Sequence, residues 1–181
     1  MTQLFMEDLF PTRVYHCDIE IDNDAMIKKL YEMQKTEASL RNSMRLGWHS
    51  PTILHTLPEF HLLCSFILNL SKAIDNFYIS NMWGNILPKY GYNVAHTHPN
   101  SAYSGVYYLN KAENSGNLVL MDPRPGHVAE YKYGGDVTTV IEGTQGKLVM
   151  FPNWLEHRVE QNLSEEDRIA VSFNLGKSHG K

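Results

Sequence analysis

The chain has 181 residues, of which 43% are hydrophobic and 20% charged, and its formal net charge is −4 at neutral pH. This length and composition are typical of a single globular domain with a substantial core, and they exclude disordered and fibrous classes. The charge lacks the basic excess that phosphate neutralisation requires, so we expect no nucleic-acid partner.

The first residues do not form a positive segment followed by an apolar one, and no run of eighteen apolar residues occurs. We therefore expect a cytoplasmic protein without a membrane partner. Cys17 and Cys64 lack metal-binding spacing, and we expect both to be reduced and to serve core packing. The sequence leaves the oligomeric state open, and a homodimer is compatible with it.

The N-terminal part predicts a strand over residues 9–21, followed by a helix that begins at Asn23 or Asp24. Residues 35–50 are polar and show no clear period. A second helix has its start signal at Thr56 and Glu59, which have capping-box spacing.

The apolar residues of this second helix recur at steps of three and four, from Phe60 to Phe77. An apolar stripe this broad must be buried against a large apolar surface, and we expect the face of a sheet to provide it.

From Tyr78 onward the pattern changes to short β-rich runs separated by glycine, proline and asparagine. The predicted strands are residues 78–87, 102–109, 117–121, 137–141, 146–151, 157–161 and 168–175. Many short strands favour a barrel or sandwich. We interpret residues 1–181 as one domain: 1–77 support a β core at 78–175, and 176–181 form a mobile tail.

Three histidines carry the first chemical signal. In an extended strand, His96 and His98 point to the same face with Cα atoms about 6.6 Å apart, so both rings can approach one metal ion. His157 opens a later predicted strand and is the third candidate ligand. Three protein ligands leave open coordination positions, as catalytic metals require.

Arg168 carries the second signal. Strand alternation places Arg168, Ser172 and Asn174 on one face of the last strand. An arginine that points into an apolar barrel requires an anion, and its planar fork matches a carboxylate.

Together these patterns resemble the Fe(II)/2-oxoglutarate oxygenases, in particular the prolyl-hydroxylase-like branch and its uncharacterised bacterial and phage members. The resemblance spans about residues 83–175. Its motifs are His96-x-His98-Pro99, Ser104-Gly-Val-Tyr-Tyr-Leu-Asn110, Gly116-x-Leu118, Asp122-Pro-Arg124, Phe151-Pro-x-Trp154-Leu-x-His157-x-Val159 and Arg168-Ile-x-x-Ser172-Phe-Asn174.

The resemblance implies a mainly β fold with some α: a double-stranded β-helix, jelly-roll or cupin-like, with helices packed on one face. It also implies Fe(II) as metal, 2-oxoglutarate as cosubstrate, and O₂ used to hydroxylate a small-molecule or peptidyl substrate. His96 and His157 match metal ligands. Arg168, Ser172 and Tyr108 match residues around the distal carboxylate of 2-oxoglutarate.

His98 departs from the family pattern, which has an acid at this position. Three interpretations follow: His98 is itself the third ligand, Asp122 supplies a carboxylate, or the site binds metal without efficient oxygenation. Arg124, Trp154 and Asn174 are weaker candidates for substrate contact.

Two other functions stay open at this point. A cupin with another metal-dependent reaction fits the loosened motif of Gly146, Pro152, His157 and Asn162, although no glutamate follows His98 at cupin spacing. The second alternative function is a non-catalytic binding module with the same fold. Arg168 favours the oxygenase, because a cupin has no general need of an arginine there.

Overall fold

A computed structural model of the chain describes residues 3–40, 42–126 and 137–177. In this part of the chain, eleven strands form two antiparallel sheets. The strands are β1 (Tyr15–Asp18), β2 (Met44–Arg45), β3 (Trp48–His49), β4 (Phe77–Leu87), β5 (Tyr92–His96), β6 (Tyr103–Asn110), β7 (Leu118–Met121), β8 (Thr138–Ile141), β9 (Lys147–Pro152), β10 (His157–Val159) and β11 (Arg168–Lys177).

The major sheet has the strand order β1-β9-β6-β11-β4-β3, and the minor sheet the order β2-β5-β10-β7-β8. From β4 to β11 the chain passes back and forth between the two sheets, as in a jelly roll. The predicted double-stranded β-helix is confirmed. Its interior is filled by apolar side chains from both sheets, including Val106, Leu118, Val149 and Ala170.

Two helices, α1 (Asp24–Thr36) and α2 (His61–Ser71), cover the outer face of the major sheet. Leu30 of α1 is fully buried and packs directly on the backbone of Gly84 in β4, because a Cβ atom at Gly84 would lie 2.4 Å from Leu30 Cδ2. Leu63 and Ile67 of α2 are buried in the same cluster. The sheet face expected to cover the apolar helix stripe is therefore present.

Three predicted boundaries are wrong. The predicted strand 9–21 is regular only over Tyr15–Asp18, the residues that pair with β9. The second helix ends at Ser71, and Phe77 instead begins β4. The Thr56 hydroxyl donates to the Ile53 carbonyl within a 3-10 turn rather than capping a helix, and α2 starts only after a second 3-10 turn.

The polar stretch at residues 35–50 contains β2 and β3, each only two residues long. Residues 1–77 thus add three strands to the sheets besides the two helices. Gly176 and Lys177 of the predicted tail belong to β11, whereas residues 178–181 lie outside the described residues. None of the helices in the described ranges has the length and apolar character needed to cross a membrane.

The contact between α1 and the major sheet can be tested with two leucines. We expect Leu30→Ala to lower the free energy of unfolding by about 3 kcal/mol, because it leaves a cavity against the sheet. Leu62→Ala on α2 is the control, because Leu62 is 58% exposed, and we expect a change below about 0.5 kcal/mol. Urea unfolding measures both, and equal losses would contradict the packing described.

Candidate active site

Three histidines meet where two strands of the minor sheet lie side by side. His96 is the last residue of β5, His157 is the first residue of β10, and the two are paired in register. His98 follows two residues after β5. Its amide donates to the Asn153 carbonyl at 3.0 Å and its carbonyl accepts from Asn153 Nδ2 at 3.1 Å, which fixes the turn.

The side chains of the three histidines converge. One ring nitrogen from each lies within 4.8 Å of the others, and Nε2 of His98 is 3.2 Å from Nε2 of His157. Two nitrogens bound at right angles to one metal, each about 2.1 Å from it, would be roughly 3 Å apart. The pair therefore has the spacing of two ligands of a single ion.

Two of the rings are oriented by the backbone. Nδ1 of His96 lies 2.7 Å from the Val94 carbonyl, and Nδ1 of His157 lies 2.9 Å from the Leu155 carbonyl. A carbonyl can only accept, so each Nδ1 carries the proton and each Nε2 keeps its lone pair for a metal.

The ring of His98 has no such acceptor at Nδ1 among the described residues. It packs instead on Trp83, with ring centroids 5.5 Å apart, and Trp83 stacks on His49 at 5.6 Å. His98 is thus positioned by aromatic contact, and its tautomer is not set by the backbone.

Burial keeps all three imidazoles neutral. It lowers the pKa of His96, and it lowers the pKa of His157 to about 4, assisted by repulsion from His96. The pKa of His98 falls to about 3, through burial and then through repulsion from His157 and His96. Three neutral rings offer three lone pairs, as a divalent metal requires.

The histidines line a cavity of about 400 Å³ between the sheets, and Arg168 lies on its opposite wall. Arg168 is 2% exposed and makes no ion pair or hydrogen bond with any described residue. Its guanidinium carbon lies 5.0 Å from the centre of the Tyr108 ring, whose buried hydroxyl also lacks a partner in the described structure. The cavity therefore presents a buried cation without a counter-charge.

Ser172 and Asn174 face the same cavity, two and three alternate positions along β11 from Arg168. The Ser172 hydroxyl accepts a hydrogen bond from Asn85 Nδ2 at 3.0 Å. Its own proton is therefore available to an acceptor in the cavity.

Three other predicted residues lie elsewhere. Asp122 and Arg124 form an ion pair at 2.5 Å and line a separate cavity beside the N-terminal segment. Trp154 is half exposed and is absent from the described lining of the histidine cavity. Asp122 is thus not brought to the histidines.

Sequence reasoning did not select Ser43, Asn93 or His49 for this site. Ser43 Oγ lies 3.3 Å from Nε2 of His96 and accepts from Asn93 Nδ2 at 3.1 Å. His49 is buried in the cavity wall. Ser43 directly precedes β2 and His49 ends β3, and these two-residue strands are too short to give a periodic signal. Alternation from His96 would place Asn93 on the opposite face of β5, and the register shift between the His157–His96 and Val159–Asn93 pairs changes its side.

Residues 81–174, just over half of the chain, match the model of the family described as "Putative 2OG-Fe(II) oxygenase". The chain belongs to this family of 2OG-Fe(II) oxygenases. The match includes the histidines and Arg168, and it favours the oxygenase over the cupin and the binding module.

Solved structures share the fold of this oxygenase. HygX from Streptomyces hygroscopicus, solved with nickel and 2-oxoglutarate bound, is 13% identical, with a TM-score of 0.67 over 93% of this chain and 84% of that one. A Pseudomonas putida prolyl-4-hydroxylase is 14% identical, with a TM-score of 0.66 over 92% and 94%. A Trichoplax adhaerens prolyl hydroxylase, solved with a peptide fragment of the hypoxia inducible factor oxygen degradation domain, is 14% identical, with a TM-score of 0.66 over 90% and 83%. No curated protein sequence matches the chain.

The histidine cluster gives the metal-free oxygenase a pH-dependent stability. His98 and His157 have lower pKa values in the folded protein than in the unfolded chain, so below about pH 6.5 the unfolded chain binds more protons. Folding stability is complete above that pH, and we expect it to fall by about 2 kcal/mol per histidine by pH 5.

Urea unfolding in a chelator at pH 7.5 and pH 5 measures this loss. His157→Gln should reduce the difference between the two pH values, whereas His16→Gln, at an exposed site, should leave it unchanged. A wild-type protein equally stable at both pH values would show that the buried imidazoles do not resist protonation.

Proposed function

We propose that this oxygenase binds Fe(II) through His96, His98 and His157 and binds 2-oxoglutarate through Arg168. When bound, iron and 2-oxoglutarate supply the oxidising chemistry: 2-oxoglutarate, O₂ and a substrate C–H bond give succinate, CO₂ and a hydroxylated product. The protein supplies position, charge and a cavity lined by the histidines and Arg168.

The observation that carries this proposal is Arg168. A buried guanidinium without a partner is unfavourable by several kcal/mol unless an anion joins it. It lines the same cavity as the three ring nitrogens, so an anion that reaches it also lies near a metal held by them. A short dicarboxylate with one end on the metal and the other on Arg168 neutralises the guanidinium and ligates the metal at the same time.

The residues around Arg168 support the same anion. The Ser172 hydroxyl, held by Asn85, can donate to the distal carboxylate of 2-oxoglutarate. The Tyr108 hydroxyl is buried without a partner in the described structure, and its ring lies against the guanidinium, which supports the second donor that the family resemblance implies.

The proposed metal ligands are the three residues whose ring nitrogens converge. His96 and His157 present fixed lone pairs, and His98 completes the cluster, whereas Asp122 pairs with Arg124 in another cavity. Of the three interpretations of the departure at His98, direct ligation is the one that this arrangement supports. Three imidazoles leave the metal one unit more positive than two imidazoles and a carboxylate, which strengthens its attraction for a dianionic cosubstrate.

The substrate belongs to the small-molecule or peptidyl classes. Structures of this fold include one solved with hygromycin B and one solved with a peptide fragment, so the architecture accommodates both. The length and composition further support a single domain.

The cosubstrate assignment can be tested by replacing Arg168. We expect Fe(II) and 2-oxoglutarate, mixed anaerobically with the protein, to give a metal-to-ligand charge-transfer band. Arg168→Gln should keep iron but weaken 2-oxoglutarate by about 2 kcal/mol or more, roughly thirtyfold, because the distal carboxylate loses its partner. Arg158→Gln is the control, because strand alternation places Arg158 on the opposite face of β10 from His157. Normal 2-oxoglutarate binding by Arg168→Gln would refute the assignment.

The metal ligands can be tested by a pair of variants. His98→Ala should lower Fe(II) affinity at least tenfold, since it removes one of three lone pairs, whereas Asp122→Ala should leave the affinity unchanged. Equilibrium dialysis under anaerobic conditions, with iron measured by a chelator assay, gives both values. Loss of iron from the Asp122 variant alone would assign the carboxylate as ligand.

A further inference from the structure

A row of polar side chains crosses the major sheet beside the proposed iron site and takes no part in the proposed binding of 2-oxoglutarate. Asn81 of β4, Asn174 of β11 and Ser104 of β6 are register partners on three neighbouring strands. The row lies one alternate position beyond Trp83 and Ser172, on the side away from Arg168. Asn81 and Asn174 both line the cavity.

Asn174 has a fixed orientation. The Ser104 hydroxyl donates to Asn174 Oδ1 at 2.7 Å, which leaves Nδ2 as a donor. Asn174 is 7% exposed, and its Nδ2 has no hydrogen-bond partner among the described residues. Asn174 lines the cavity, so this free donor is directed to an acceptor that enters the cavity.

Asn81 offers the complementary group. Its Oδ1 is buried and has no hydrogen-bond partner in the described structure. Asn81 lies directly opposite Asn174 across the β4–β11 pair, and the side chains of directly opposed residues are neighbours. The two residues therefore present one fixed donor and one acceptor side by side.

The surroundings of this pair are uncharged. Among the described residues that line the cavity, none carries a carboxylate, and the guanidinium is that of Arg168. The Cα atoms of Arg168 and Asn174 are separated by six residues of β11, about 20 Å. Thr52 and Asn42, which also line the cavity, add further neutral polar groups.

We propose that Asn81 and Asn174 bind a primary carboxamide group of the substrate, in which the C=O and one N–H lie side by side. This proposal rests on the proposed oxygenase function and names the chemistry of its substrate. An amide oxygen accepts from Asn174 Nδ2 while its N–H donates to Asn81 Oδ1. A carboxylate would place an acceptor against Asn81 Oδ1, and an ammonium would place a donor against Asn174 Nδ2, so both are disfavoured.

A matched series of probes tests the proposal: phenylacetamide, phenylacetate, 2-phenylethylamine and 2-phenylethanol, which share one body and differ in the polar group. Each is titrated anaerobically into the protein loaded with Fe(II) and 2-oxoglutarate, and its affinity is read from changes in the charge-transfer band and from equilibrium dialysis. We expect phenylacetamide to bind at least tenfold more tightly than each of the other three.

Isosteric variants identify the residues. Asn174→Asp replaces the donor by an acceptor, so 2-phenylethylamine should then bind more tightly than phenylacetamide. Ser104→Ala should reduce the amide preference severalfold, because it frees the Asn174 side chain. Asn69→Asp, on the exposed face of α2, is the control and should keep the wild-type order.

The outcomes separate the two proposals. Absence of the charge-transfer band before any probe is added refutes the oxygenase site itself. A normal band with no bound probe, with phenylethanol or phenylacetate bound as tightly as phenylacetamide, or with an unchanged order in Asn174→Asp overturns the amide site alone. If Asn174→Asp does not fold, Asn81→Asp gives a second test: its new carboxylate should raise the affinity for 2-phenylethylamine relative to phenylacetamide, and an unchanged ratio overturns the amide site.

Discussion

A buried guanidinium without a counter-charge is the constraint around which the cavity is organised. The last strand of the major sheet places Arg168 inside the jelly roll, where water cannot solvate it and no described carboxylate pairs with it. An anion long enough to reach Arg168 would neutralise the charge of the guanidinium. Along the inner face of that strand, Ser172 lies two alternate positions from Arg168 and Asn174 three, and all three line the cavity.

The two sheets divide the chemistry between them. The minor sheet supplies the histidines, through strands β5 and β10 that pair side by side, and the major sheet supplies the arginine and the polar rows that face them. Neither sheet alone forms the site. The helices contribute no residue to the described lining of the cavity; their apolar faces cover the outer side of the major sheet.

Much of this could be predicted from the sequence, because the signals were local. Alternation along β11 placed Arg168, Ser172 and Asn174 on one face, and the spacing of His96 and His98 predicted convergent rings. The residues that arrive through non-local contacts could not be predicted. Ser43 directly precedes the two-residue strand β2 and His49 ends the two-residue strand β3, and the pairing of these strands with β5 and β4 has no periodic sequence signal. The position of Asp122, which directly follows β7, likewise depends on non-local packing that decides which cavity its side chain lines.

The register pairing of His96 with His157 joins residues that are about sixty positions apart in the chain. Such a contact exists only after most of the barrel has assembled, so the unfolded chain cannot hold a metal in this geometry. Ligands that bind only the folded state stabilise it in proportion to the logarithm of their concentration. Iron supply and cosubstrate level would thus set not only how fast such an enzyme turns over but also how long each molecule survives proteolysis in the cell.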